Sequence, residues 1–155
     1  MNTLQLLALI AHDFLGLGAV ILSYAVWMML MKRPTNLLRA AKTAWWAFAL
    51  IMTSWITGGY YYVTHYGSAV KPVIKSGKYP WAHTIITEFK EHVFLFLPVL
   101  TLVLAIILWM QREQKKTDAG MQRALIVLAG VTALIGIAIT LFGVVISGAY
   151  RPAKV

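Results

Sequence analysis

Apolar residues fill four long runs along this chain, and short polar segments separate them. The runs cover about residues 3–31, 41–65, 81–110 and 121–149. A hydrocarbon layer of roughly 30 Å is crossed by about 20 apolar residues of α-helix, so each run is long enough to span a membrane. The pattern predicts an all-α protein, an integral membrane four-helix bundle.

The segments between the runs contain residues that end helices. Residues 32–36 combine charge, proline and turn-forming residues, and residues 111–118 form a charged turn. Residues 66–79 carry lysines and glycines among a few apolar side chains, which predicts a loop lying on the membrane surface. Pro80 suits the first turn of the next helix, because a residue there needs no N–H partner.

Composition supports the membrane assignment. The chain has 155 residues, of which 60% are hydrophobic and 12% are charged, with a mean hydropathy of +0.73. Soluble domains contain about a quarter charged residues. The four runs use most of the length, so we expect a single transmembrane domain over residues 1–155. The first run is longer than a signal-peptide core and lacks a basic leader, which favours a retained helix.

The charge distribution predicts an orientation. The net charge is +9, and its basic residues lie between the apolar runs, which is typical of lipid headgroup contacts and not of nucleic-acid binding. Eight basic residues belong to the first and third connections, and six lie elsewhere. The eight are Lys32, Arg33, Arg39, Lys42, Arg112, Lys115, Lys116 and Arg123; the six are Lys71, Lys75, Lys78, Lys90, Arg151 and Lys154. The positive-inside rule places both termini and the long second connection on the outer side of a prokaryotic cytoplasmic membrane.

Three of the four histidines are predicted to share one depth. Counting about 20 residues outward from the inner end of each helix brings His12, His65 and His92 to the outer edge of the bilayer. His83 lies in the first turn of the third helix, where we expect surface exposure. Small residues lie at helical spacing beside His12 and His65, and a similar row without a histidine lies on the fourth helix. Such rows allow helices to pack closely or leave room for a flat cofactor. The rows are His12, Gly16, Ala19 and Ser23; Ser54, Gly58, Tyr61 and His65; and Thr132, Gly136, Thr140, Gly143 and Ser147.

Histidines at one depth on different helices favour a b-type haem, whose iron takes imidazole as an axial ligand. His12 and His92 are the preferred pair, and His65 is the substitute for either. The absence of cysteine excludes covalent haem attachment. The predicted function is a haem-binding membrane subunit that transfers electrons or anchors a redox complex, with its site in the outer leaflet. Its expected partners are the lipid bilayer and other membrane or redox subunits.

Two alternatives use the same residues differently. In the first, copper or zinc binds without porphyrin, because imidazole and carboxylate oxygens suit these metals. The candidate ligands are His12, His65, His92, Glu88, Glu91 and Asp13. The second alternative is an accessory or structural subunit without a cofactor, in which interfacial aromatic residues form a belt and the second connection meets a partner. A nucleophile with its base and a phosphate-binding loop are not evident, so the sequence favours no stand-alone enzyme.

Three motifs carry a resemblance to known proteins. They are the sequence AHDFLG at residues 11–16, TGG at residues 57–59, and the helix opening at residues 81–90 followed by His92. This layout resembles small four-helix membrane proteins related to the copper-resistance D family and the HemJ-type protoporphyrinogen oxidases. The resemblance covers most of the chain as topology and implies haem or copper binding. HemJ-type members use a helix-one histidine with a helix-three lysine, for which the matching positions here are His12 and Lys90.

Overall fold

The computed structural model describes residues 1–32, 36–114 and 118–151, and every regular element within them is helical. The all-α prediction is therefore confirmed over this part of the chain. The α-helices are α1 (Thr3–Met31), α2 (Leu37–Tyr61), α3 (Lys71–Ser76), α4 (Glu88–Phe94), α5 (Phe96–Gln111) and α6 (Ala119–Tyr150), and two π-helices cover Tyr62–Val70 and Ala82–Thr87. Parts of the predicted breaks and tail, including Arg33, Lys115, Lys116 and Lys154, lie outside the described residues.

These elements form four long helical segments. The first and fourth are α1 and α6. The second begins with α2 and continues through the first π-helix into α3, whereas the third joins the second π-helix, α4 and α5. Three segments, Thr3–Met31, Ala82–Gln111 and Ala119–Tyr150, are long and apolar enough to cross a membrane. The α2 helix has 25 residues, but it is less apolar because it carries Arg39 and Lys42 in its first turns and several Trp, Thr, Ser, Gly and Tyr residues after them.

Polar residues of the predicted breaks begin the helices. The Asn2 side chain accepts a hydrogen bond from the Gln5 amide, and the Gln5 side chain accepts one from the Asn2 amide, both at 2.8 Å. Asn36 caps α2 by accepting from the Arg39 amide at 2.9 Å, and Asp118 caps α6. Such caps pair amide groups that have no partner inside the helix.

The core at the end of the bundle where α1 ends and α2 begins is built from small and apolar residues. On α2, Ala40, Ala41 and Ala44 are fully buried, which allows α1 and α5 to approach its backbone closely. Gln122 of α6 donates a hydrogen bond of 2.6 Å to the Leu30 carbonyl at the end of α1. The outer surfaces of the helices expose large apolar side chains, which fits a lipid environment.

The prediction of a surface loop over residues 66–79 is wrong. The chain stays helical through the first π-helix and α3 as far as Ser76. Tyr66, Val70 and Ile74 recur every four residues and are buried against Ala82 and Ala149. Packing of this apolar face stabilises helix despite the glycine and proline in the segment.

The third predicted helix has nearly the predicted ends, but it is not a uniform α-helix. The second π-helix occupies its first six residues, and Leu95 separates α4 from α5. Pro98 lies in the first turn of α5 and has no N–H to donate to the Phe94 carbonyl. The missing hydrogen bond explains the interruption at this point.

Two glycines provide a test of the packing between α1 and α6. A Cβ atom at Gly130 would lie 3.0 Å from the Trp27 ring, whereas one at Gly148 would meet nothing within 4 Å. We expect Gly130→Ala to lower the free energy of unfolding by about 1–3 kcal/mol, because a rigid indole has to move. Gly148→Ala should leave stability unchanged or raise it slightly through helix propensity. Thermal unfolding of both variants in one detergent measures the difference, and equal midpoints would contradict this packing.

Candidate functional site

His12 of α1 is held against α2 by reciprocal hydrogen bonds with Ser54. The His12 Nδ1 atom lies 2.8 Å from the Ser54 carbonyl oxygen and 3.0 Å from Ser54 Oγ. The Ser54 hydroxyl donates in return to the His12 carbonyl at 2.9 Å. Because a carbonyl only accepts, Nδ1 carries the hydrogen, and the neutral imidazole presents its lone pair at Nε2.

The Nε2 atom of His12 is available to a ligand. It makes no hydrogen bond to the described residues, and His83 is the one residue among them whose side chain has a fully enclosed, unpartnered polar atom. The ring itself is half-buried. A histidine whose Nδ1–H is fixed by a carbonyl and whose Nε2 has no hydrogen-bond partner among the described residues has the arrangement of a metal or haem ligand.

Glycines make room for this contact. A Cβ atom at Gly58 would collide with the His12 ring, including Cε1 at 2.7 Å and Cγ at 2.9 Å. A Cβ atom at Gly16 would lie 3.1 Å from Ser54 Oγ. The small-residue rows predicted on the first two helices therefore face each other and serve helix packing at this level.

Lys90 of α4 lies close to the same site. Its Nζ atom is 3.6 Å from where a Cβ atom of Gly143 would stand on α6. Its charge acts electrostatically on His12, Asp13 and Glu91. The contact of α1 with α2 at His12 and the contact of α4 with α6 at Lys90 therefore lie near each other.

A buried row explains why Lys90 faces inward. Along the third helical segment, buried or half-buried residues recur at alternating spacings of three and four. The row consists of His83, Thr87, Lys90, Phe94, Leu97, Thr101, Leu104 and Leu108. A spacing that averages 3.5 residues keeps one face of a helix toward its neighbours. This signal is present in the sequence and would have identified Lys90 and His83 as interior residues.

His92, Glu88 and Glu91 lie off this row and are exposed. The His92 Nδ1 atom donates to the Glu88 backbone carbonyl at 2.6 Å, and in the neutral ring the lone pair is then on Nε2. The accepting atom is the backbone oxygen of Glu88 and not its carboxylate. Among the described residues, no hydrogen bond joins His92 to His12.

His65 does not share the depth of His12, so that part of the prediction is wrong. The Gln5 side chain donates to the Thr64 carbonyl at 3.0 Å, which places His65 near the start of α1. The depth predicted for His65 assumes that the membrane-spanning part of the second helix begins at Ala44, whereas α2 begins two turns earlier at Leu37. At 1.5 Å per residue, His65 therefore lies about 10 Å beyond the level of His12. A count of 20 residues from the observed start reaches Thr57 and Gly58, the level at which His12 is found.

His83 was expected on the surface, and the structure places it in the interior. It is 1% exposed and contacts Tyr66 of the first π-helix, with the two rings 6.0 Å apart. Tyr66 in turn stacks on Tyr62 at 5.1 Å. Burial raises the pKa of the Tyr66 phenol, and burial together with the Glu91 carboxylate raises the pKa of Tyr62 to about 12. Both tyrosines stay protonated donors at neutral pH.

The metal ligands suggested by the sequence do not form a compact cluster. Within residues 1–32, 36–114 and 118–151, no three His, Asp or Glu side chains come close enough together to hold an ion. His12, His65, His92, Glu88, Glu91 and Asp13 all lie in this range. The structure instead packs His12 against Ser54 and Gly58, with Lys90 close enough to act on it electrostatically.

Comparison with known proteins gives no further assignment. No protein-family model matches the chain, and no significant match is found among curated proteins or solved structures. The functional argument therefore rests on the geometry around His12.

Adjacent glycines of α2 test this geometry. Gly58→Ala should displace the His12 ring and break its hydrogen bond to Ser54, whereas Gly59→Ala should not, because a Cβ atom there meets nothing within 4 Å. Nitrogen-15 NMR of histidine-labelled protein reports the tautomer, and His12→Gln assigns the signal. We expect the Nδ1–H tautomer of His12 to be lost only in Gly58→Ala. The same spectrum in both variants would contradict the assigned contact.

Proposed function

We propose that this protein binds a b-type haem through His12 and serves as an electron-transfer or anchoring subunit of a membrane redox assembly. The observation that carries the proposal is the His12–Ser54 pair. It fixes Nδ1 as the protonated nitrogen and leaves Nε2 free to bind iron. When bound, haem would supply one-electron transfer at its iron.

The residues around His12 fit such a group. Neutral imidazole is a common axial ligand, and a carbonyl that accepts from its other nitrogen orients the ring and increases its basicity. Gly16 and Gly58 let α1 and α2 approach closely behind the ring. The proposed site lies in the apolar interior, where burial and nearby charges set the redox potential of iron.

A second residue that would hold the haem comes from the third helical segment in this proposal. Lys90 is favoured because it lies on the buried row and, as a neutral amine, would offer a lone pair to the iron. It agrees with the resemblance to HemJ-type proteins. His92, which the sequence favoured, has a suitably oriented ring but is exposed, so it is the competing ligand.

Optical spectra test haem binding. Protein purified in detergent should show a Soret band when oxidised and a sharp α-band after reduction with dithionite. We expect His12→Ala to lose haem and Gly59→Ala to keep it, because only the first removes the ligand. Lys90→Met should change the low-spin spectrum, whereas His92→Ala should not, and the reverse result would assign His92 as the ligand.

The alternatives have distinct outcomes in the same preparation. Parent protein without a Soret band, expressed with adequate haem supply, would exclude the haem proposal. Stoichiometric copper or zinc by elemental analysis would then favour a porphyrin-free metal site. If neither cofactor is present and His12→Ala assembles normally, an accessory structural subunit becomes the best account.

We also propose that both termini face the outer side of a cytoplasmic membrane, with α2 as the fourth span. The end that would face inward carries anchors typical of a lipid interface. Lys42, Trp45, Trp46 and Trp109 line a surface groove of about 430 Å³, and Arg112 stacks on Trp109 at 4.5 Å. Amphipathic rings and basic side chains favour the headgroup region.

Reporter fusions test the orientation. Alkaline phosphatase joined after Val155 should be active in a bacterial host, because this enzyme folds only outside the cytoplasm. Green fluorescent protein at the same position, exported through the general secretion route, should stay dark. An inactive phosphatase fusion together with a fluorescent green fluorescent protein fusion would place the carboxyl terminus inside the cell.

A further inference from the structure

Two contacts join the two π-helices at the end of the bundle proposed to face outward, and a third contact lies within the second π-helix. The Thr87 hydroxyl lies 2.9 Å from the Ala82 carbonyl, and the Tyr66 hydroxyl lies 3.1 Å from Thr87 Oγ1 and 3.1 Å from His83 Nδ1. All three side chains are at least 94% buried. The contacts therefore form one enclosed chain of polar groups between segments that are otherwise apolar.

Only one placement of the hydrogen atoms turns all three of these contacts into hydrogen bonds. The Ala82 carbonyl only accepts, so the Thr87 hydroxyl donates to it. Thr87 Oγ1 then accepts from the Tyr66 hydroxyl, whose single hydrogen is thereby used. Tyr66 must accept from His83, which places a hydrogen on Nδ1 and leaves a lone pair on Nε2.

The Nε2 atom of His83 has no hydrogen-bond partner among the described residues and is fully enclosed. Burying an Nε2 lone pair without a partner costs less free energy than burying an N–H donor without an acceptor. Burying a charged imidazolium N–H without an acceptor costs much more. The enclosed imidazole is therefore neutral. Adding a proton at Nε2 requires His83 to reach water.

The surroundings of His83 include charges of both signs. Each element packed around it contributes titratable or charged groups: Tyr66 from the first π-helix, Lys71 and Lys75 from α3, Glu88 and Glu91 from α4, and Tyr150 from the end of α6. The lysines oppose protonation of the ring and the glutamates favour it. A proton added at His83 Nε2 would have no hydrogen-bond acceptor among the described residues while the ring stays enclosed.

We propose that Tyr66, His83 and Thr87 form a proton-controlled latch, which holds residues 62–76 on the bundle while His83 is neutral and releases them when it is protonated. The released segment is the one whose Tyr66, Val70 and Ile74 pack against Ala82 and Ala149. Acidification therefore opens the outer end of the bundle. This inference does not depend on haem, because the latch uses none of the residues around His12.

The chain contains no cysteine, so a single introduced thiol reports on opening without background. Ile74→Cys places the thiol at a position that is 1% exposed, and Ser76→Cys places one at an exposed position two residues later on α3. Labelling with a maleimide in detergent at pH 5 to 8 gives two rates. Their ratio cancels the pH dependence of the thiol itself.

The labelling ratio of Ile74→Cys to Ser76→Cys should rise as the pH falls, by at most about tenfold per pH unit because one proton is bound. In a His83→Gln background, the ratio should no longer change with pH. Tyr66→Phe and Thr87→Val should raise the ratio at pH 8. Thr84→Val is the matched control, because Thr84 is an exposed threonine of the same π-helix, and it should behave as the parent.

Two results would overturn the latch. One is a ratio that stays constant with pH in the parent, and the other is the same pH dependence after His83→Gln. If His83→Gln does not fold, Tyr66→Phe decides the question, because it keeps the histidine and removes its partner. A parent-like ratio in Tyr66→Phe at pH 8 would then exclude the hydrogen-bond chain as the closing contact.

Discussion

The hydrogen bonds between His12 and Ser54 fix the contact of α1 with α2 at the level of the candidate site, and the packing at that level depends on them. In an apolar environment an unpaired polar group costs several kcal/mol, so the imidazole Nδ1–H and the serine hydroxyl each need a partner. Each finds one on the other helix. Gly58 is necessary because any side chain there would occupy the position of the ring.

The repeat of buried residues on the third helical segment determines which ionisable groups enter the bundle. Residues 83 to 92 include two histidines, one lysine and two glutamates within ten positions. Lys90 and His83 fall on the buried row, whereas Glu88, Glu91 and His92 fall outside it. Neighbouring residues in the sequence therefore have opposite environments, and the difference follows from a spacing of 3.5 residues.

A second set of enclosed polar groups joins the two π-helices. Tyr66 and Thr87 donate their hydroxyl hydrogens and His83 donates its Nδ1–H, all in one direction, and the His83 Nε2 atom has no partner among the described residues. Both π-helices contribute to it, in agreement with the frequent occurrence of π-helical turns at functional positions. His83 and Lys90 belong to the same helical segment. The hydrogen-bonded Tyr66–His83–Thr87 group and the region around His12 therefore both depend on how this segment packs.

The sequence by itself determined the helical class and the approximate ends of α1 and α6, because long apolar runs and the polar breaks between them act locally. It also identified the small-residue rows of His12 and Ser54. It could not place His65, because the depth depends on where α2 begins, and residues 37–40 were expected to belong to a connection. Nor could it show that residues 66–76 are helical, because Tyr66, Val70 and Ile74 are buried in a helix only when Ala82 and Ala149 cover them. The spacing of the buried row is present in the sequence, but only the tertiary structure decided that Lys90 lies near His12 and that Tyr66 covers His83, because these placements depend on contacts between segments far apart in the chain.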